Sequence, residues 1–415
     1  MSKRFLSSLA CALLLFNPDL MGQQYNLTNY GLEHGLPQAT VFCTYEDAHG
    51  YLWVGTESGV ARFNGVEFVV YDSNDGLPGN NVRSVAEGAD GRIWVATDRG
   101  VGIFNGQEWT QITESQGLKG SAVLKLLPDN QGRMWAATND HGVNIISTTY
   151  DSIAITNLSG YDGLAGDFVL DIHHDSKGRT WLALIGGINT ITPADEGFVI
   201  SNLEDSAYIP SNLISCVDED AQGNLWFGTL NAGFFKLSKQ NGHYDVTIYN
   251  HRNGMDDPRV WDIFCDDQGR VWIGSNENGL YYMEDGAIHN ITTGNGLPGN
   301  LILSISRDRN GNLWLGSMNG LSLFRGFHFI HYTTADGLPG NQILAVKATP
   351  DGNIWVGSDG RGFARLDLDH NKLKSKFFGP EVGFTGRHVI SIDFDSDGSS
   401  WIYDPNSSAY RFFWQ

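Results

Sequence analysis

The chain has 415 residues, 51 of them glycine, with 12% aromatic side chains. A formal net charge of −20 repels phosphate backbones and argues against nucleic acid as a partner. Beyond the first residues no stretch keeps a helical period, so the composition points to an all-β chain.

In chain order, residues 1–22 read as a secretory signal peptide. Lys3 and Arg4 form a basic start, Phe5 to Phe16 an apolar run, and Gly22 a small residue for cleavage. The run is too short to span a bilayer. Cys11 suggests a lipoprotein signal, but Ser8 stands where such signals want an aliphatic residue. The sequence therefore predicts a periplasmic or secreted domain over residues 23–415. No other segment has the length and apolarity of a membrane span. The mature chain keeps Cys43, Cys216 and Cys265. An odd number on separate elements argues against a disulfide framework and for small buried side chains.

From residue 44 onward one phrase recurs. Trp53, Trp94, Trp135, Trp181, Trp226, Trp272, Trp314, Trp355 and Trp401 each follow a glycine by three residues. Eight of the nine residues six before that glycine are aliphatic, from Val85 to Ile392, with Thr44 the exception. The unit reads as a buried strand, a tight turn, and a second strand such as "LWVGT" that is apolar on both faces. A third strand ("VARF", "LSLF"), a fourth ("VEFVVY", "FHFIHY") and a loop ("GLPGN") complete it. Four short strands per unit at this spacing make a β-propeller blade.

Nine blades raise the question of closure. The ninth, from Arg387, stops after three strands, while "YNLTNYGLEHGLP" near the start matches a fourth strand and its exit loop. Pairing the two predicts one nine-bladed ring with no orphan edge. The alternative is a seven-bladed ring followed by two blades of a second propeller, which leaves one fourth strand redundant.

The unit "GLPGN…GNLWLGS..GL" resembles the two-component regulator propeller repeat, carried by residues 76–80, 296–300 and 337–341 and by the nine Trp-centred turns. That family forms the periplasmic sensor portion of bacterial hybrid two-component systems. The resemblance implies an extracytoplasmic module that senses a small molecule, commonly an oligosaccharide from glycan breakdown, and a membrane sensor kinase or other protein as partner. The kinase, membrane helix and further β-sandwich of such sensors have no counterpart motif in these residues. The chain then reads as a free binding module or as part of such a sensor.

A ligand on a propeller sits at the mouth of the channel. There the repeat places Ala39, Asn80, Ser121, Asp167, Asn212, Pro258, Asn300, Asn341 and Arg387. The asparagines could bind sugar hydroxyls, or stabilise their own loops. Units that break the consensus add Arg83, Asp257, Arg259, Trp261, Arg361 and His388. Arginine forks onto a carboxylate and indole stacks on a pyranose, which together suit an anionic sugar. The bland reading is surface ion pairing. Other patterns carry less. "DFDSDG" at 393–398, with Asp404, has calcium-loop spacing but coincides with the ordinary repeat turn. His173 and His174 are neighbours on a strand, so they point to opposite faces. A propeller lyase or glycosidase resembling the streptogramin lyases needs a histidine and a carboxylate, or paired carboxylates, over the channel, for which His388, Asp257 and Asp167 are the candidates. A protein-interaction platform is a third reading. Nothing in the chain has the pattern of a cofactor or metal site.

Overall fold

The computed structural model describes residues 25–413, apart from 150–151, 196, 204–207, 241–242, 328–333, 335–336, 341, 350–352, 370–371, 379–381 and 396–398. The leader, Asn341 and most of "FHFIHY" therefore lie outside the described residues. What is described is all-β, as eight four-stranded antiparallel sheets and one three-stranded sheet. The chain divides into two units, residues 1–328 with seven sheets and residues 329–415 with two.

The first repeat shows how the sequence builds a sheet. Its strands are Val41–Glu46, Leu52–Thr56, Gly59–Phe63 and Phe68–Tyr71. The second strand is buried at every position, as its two-sided apolarity requires. The turn before it holds Gly50 at φ +86°, a conformation that favours glycine. Asp47 organises that turn. Its carboxylate accepts the backbone N–H groups of His49 and Tyr51 at 2.9 and 3.0 Å, and the Trp53 indole N–H at 2.7 Å. The same latch joins Asp129 to Trp135, Asp175 to Trp181, Asp220 to Trp226, Asp266 to Trp272 and Asp395 to Trp401. In the second repeat Gly88 takes the aspartate's place, and the Trp94 indole N–H is left without a partner.

The tryptophans of the first eight repeats then pack against the next repeat, the seventh against the first. Trp181 of the fourth repeat shares a cluster with Ile214, Val217 and Phe227 of the fifth. Trp314 of the seventh shares one with Val41, Leu52 and Val54 of the first. The approach is close. A Cβ on Gly55 would lie 2.4 Å from the Cys43 sulfur and 2.8 Å from Val82 of the following repeat. Repeats are also tied by backbone. The N–H of Gly59 donates to the Asn80 carbonyl, Gly233 to Pro258 and Gly279 to Asn300, at 2.7, 2.9 and 2.7 Å.

The N-terminal strand corrects the expected closure. Leu27–Tyr30 pairs antiparallel with Gly320–Phe324, the third strand of the seventh repeat, and not with the ninth. The ninth sheet remains three-stranded. First strands adjoin from one repeat to the next through the seventh, whose first strand adjoins that of the first; there the Thr44 and Ser306 hydroxyls lie 2.7 Å apart. The choice is made by packing between repeats. Tyr30 meets Phe63, Phe68 and Trp314 in one aromatic cluster, contacts that a local strand pattern does not encode.

Cys43, Cys216 and Cys265 are free thiols among the described residues. Burial pushes the Cys43 thiol up to about 12, and Cys216 and Cys265 likewise upward. No described helix is long and apolar enough to cross a membrane.

Candidate ligand-binding site

All seven first strands of the larger unit carry the same irregularity. Register slips by one residue between Val41 and Cys43, Val82 and Ser84, Val123 and Lys125, and at the matching place in the other four. Two residues there oppose one on the second strand, which is a β-bulge. Both bulge residues of every repeat line one cavity of about 340 Å³.

The first bulge position supplies Phe42, Arg83, Leu124, Leu170, Ser215, Trp261 and Leu303. The second supplies Cys43, Ser84, Lys125, Asp171, Cys216, Asp262 and Ser304. The second position also links repeats, because the bulge frees a backbone N–H in the neighbour. Ser84 accepts the N–H of Leu126 at 3.1 Å, Asp171 that of Val217 at 2.9 Å, and Asp262 that of Ile305 at 2.6 Å.

Four of these residues are charged: Arg83 at the first bulge position, and Lys125, Asp171 and Asp262 at the second. The Lys125 ammonium lies 2.8 Å from the Asp171 carboxylate. Burial alone would lower Lys125, but Asp171 and Asp262 outweigh it and hold the ammonium above its ordinary value. Burial drives the Asp262 carboxyl up to about 7; Lys125 opposes this and Asp171 adds to it. Burial also raises Asp218, two residues beyond Cys216 of the fifth repeat's wall.

Of the residues singled out in the sequence, Arg83 and Trp261 are brought together here. Arg83 is exposed, its guanidinium 3.8 Å from the centre of the Phe42 ring, and no ion pair to it is found among the described residues. Trp261 donates its indole N–H to Asn276 at 3.0 Å and leaves its ring on the wall. Others are already engaged. The Asn80 side-chain carbonyl accepts the N–H of Ser73 at 2.8 Å, and that of Asn300 the N–H of Thr293 at 2.9 Å. Asp167 accepts from Gly160 at 2.6 Å. Asp257 is buried and accepts the N–H groups of Arg259 and Glu277 at 3.0 and 2.5 Å. Arg259 pairs with Glu277.

Arg361, Arg387 and His388 belong to the smaller unit. His388 pairs with Asp359, and the backbone N–H groups of Arg387 and His388 donate to Asp404. In the calcium-like stretch, Asp393 pairs with Lys347 at 2.7 Å, and Asp395 takes the Trp401 indole and Arg411. His173 and His174 face different repeats: His173 is 3.5 Å from Asp218, and His174 packs edge-on against Trp135.

Sequence reading missed Phe42, Lys125, Asp171 and Asp262. A signal was present, since all stand at or beside the position before the repeat's aliphatic residue. It became legible only once the bulge showed that both residues reach the cavity.

Seven stretches match the two-component regulator propeller family: residues 35–58, 76–99, 117–140, 208–231, 254–277, 296–319 and 337–360. The fourth and ninth repeats are outside these matches. No curated protein matches the chain significantly. Among solved structures, the extracellular domain assigned to a hybrid two-component system of B. thetaiotaomicron matches with TM-score 0.62 and 19% identity, covering 94% of this chain and 55% of that one. The extracellular domain assigned to a one-component system of B. thetaiotaomicron matches with TM-score 0.59 and 18% identity, covering 94% and 53%. Virginiamycin B lyase from Staphylococcus aureus matches with TM-score 0.58 and 14% identity, covering 72% and 99%. The chain thus spans about half the length of the two extracellular domains, and likenesses at these identities concern the fold alone. The seven family matches, recurring in step with the sheets, make this a protein of two-component regulator propeller repeats.

Proposed function

We propose that the first seven repeats form one closed propeller that binds a small ligand in its central cavity, as an extracytoplasmic module of sensor type. The observation that carries this reading is the cavity wall, to which every one of the seven repeats contributes both bulge residues. A wall made from repeats is nearly symmetric, and a binding site shows itself where the symmetry breaks. Leu124, Leu170 and Leu303 set the pattern at the first bulge position; Ser215, Arg83, Trp261 and Phe42 depart from it, the last three with a charge or an aromatic face. An unpaired guanidinium and two aromatic faces around about 340 Å³ suit a sugar bearing a carboxylate. Glycan-derived oligosaccharides with an anionic member are therefore the ligand class we assign. The periplasmic setting rests on the leader pattern at residues 1–22 and on the likeness to extracellular domains. A membrane kinase is the partner such a module would serve.

The test is a thermal-shift screen of residues 23–415 against neutral and anionic oligosaccharides, since a ligand that binds only the folded state raises the melting point. One glycan class should shift it, and Arg83→Ala or Trp261→Ala should abolish the shift while leaving the ligand-free melting point nearly unchanged. A shift that survives both substitutions would place the ligand elsewhere and sink this reading of the cavity.

A further inference from the structure

The cavity lining holds four charged side chains: Arg83, Lys125, Asp171 and Asp262. Their pairing is unequal. Lys125 and Asp171 neutralise each other across 2.8 Å. Arg83 meets an aromatic ring instead of a carboxylate. Asp262 receives only neutral donors, the backbone N–H groups of Ile263 at 2.9 Å and Ile305 at 2.6 Å. Asp262 directly follows Trp261, one of the three residues assigned to the ligand, so its charge is felt where a sugar would stack.

We propose that Asp262 sets the charge of ligand that the cavity accepts, so that an anionic ligand binds more tightly when Asp262 carries a proton. The inference rests on the cavity being the ligand site. With Asp262 protonated, Arg83, Lys125 and Asp171 leave the wall at +1. With Asp262 ionised, the wall sums to zero.

The surroundings place this change within the physiological range. Asp262 faces Lys125 on the third repeat, Asp171 on the fourth and Asp218 on the fifth. The seventh repeat presents Ser304 and Ser306, the fifth also the Cys216 thiol, and the first the Cys43 thiol; burial keeps both thiols protonated. Burial, with Asp171 and Asp218, pushes the Asp262 carboxyl up against the pull of Lys125, to about 7. A unit charge several ångströms from a bound anion changes affinity on the order of tenfold.

Two measurements on residues 23–415 separate this inference from the reading beneath it. The first needs no ligand. A carboxyl raised above its unfolded value stabilises the fold while protonated, and that stability is lost as pH rises towards the folded value. The wild-type melting temperature should therefore fall between pH 5.5 and 8.5 by more than that of Asp262→Asn. Should the variant not fold, carbon-13 titration of the Asp262 carboxyl in the wild type gives the same answer, with a midpoint near neutrality expected. The second is calorimetric binding of digalacturonate, whose carboxylates stay ionised throughout. Wild type should bind it about tenfold more tightly at pH 5.5 than at 8.5, and Asp262→Asn should keep the tighter value at both. Equal ligand-free slopes, a carboxyl midpoint in the ordinary range, or binding that ignores pH would overturn the proposal. No binding at any pH, with the ligand-free slopes still different, would instead sink the anionic-ligand reading, and the selection of ligand charge with it.

Discussion

The seven repeats of residues 1–328 and the two of residues 329–415 are written in the same phrase, yet they bury it differently. Trp53, Trp94, Trp135, Trp181, Trp226, Trp272 and Trp314 are 6% exposed or less. In the smaller unit Trp355 is also buried, because Val389 and Ile392 of the ninth repeat cover it. Trp401 makes the same indole-to-aspartate bond as its counterparts but is 44% exposed. Val346 is 66% exposed where Leu126 and Ile172, at the same place in their repeats, are 2%. A blade does not bury its own tryptophan; the next blade does. The latch is a property of one repeat, and the core is a property of two.

The largest effect should come from removing the tryptophan itself. Trp181→Ala deletes a fully buried indole from the boundary of two repeats, and should cost about 3–5 kcal/mol in urea unfolding. Trp401→Ala keeps the same local turn but removes a side chain without that cover, and should cost about 1 kcal/mol. Equal costs would mean that the turn, and not the neighbouring repeat, gives the tryptophan its value. The N-terminal strand offers the next test. Tyr30→Ala removes the ring that joins Phe63, Phe68 and Trp314, and should destabilise the larger unit by about 2–4 kcal/mol. Hydrogen exchange should then accelerate in Gly320–Phe324, its ladder partner, and leave Gly362–Asp369 in the smaller unit unchanged.

The repeats, their strand order and the Trp-centred turn were legible because each depends on neighbours in sequence. Period, glycine at φ > 0 and two-sided apolar strands are local signals. Closure was not legible. "YNLTNY" and "FHFIHY" both carry the fourth-strand pattern, and which of them lies beside Gly320–Phe324 is settled by packing across some 300 residues of chain. The candidate site was legible in part. Arg83 and Trp261 stood out as departures from a repeated position, and both reach the cavity. Asn80, Asn300 and Asp257 also stood out, but their oxygens hold backbone N–H groups of their own or an adjoining loop. Lys125 and Asp262 escaped notice because a β-bulge decides which way they point, and a bulge leaves no mark in a hydrophobic pattern.

The smallest effect concerns the latch, and it sharpens the same contrast. Burial works against the charge of Asp175, but the Trp181 indole N–H and the Arg179 backbone and guanidinium outweigh it and hold the carboxyl below its ordinary value. Asp129 and Asp266 are held down by the same kinds of partner. A carboxylate depressed on folding contributes stability that is present above its unfolded value, near 4, and is lost as pH falls through the folded value. The larger unit should therefore lose stability below about pH 4, and Asp175→Asn should remove part of that dependence while costing about 1–2 kcal/mol at neutral pH. Asp395→Asn meets a side chain that is half open to water and should cost less than about 1 kcal/mol. Paired acid titrations of the two variants, followed by tryptophan fluorescence, check this. A latch that matters equally in both units would show that its hydrogen bonds hold the turn unaided, whereas a loss confined to Asp175 would show that they gain their strength from the repeat that covers them.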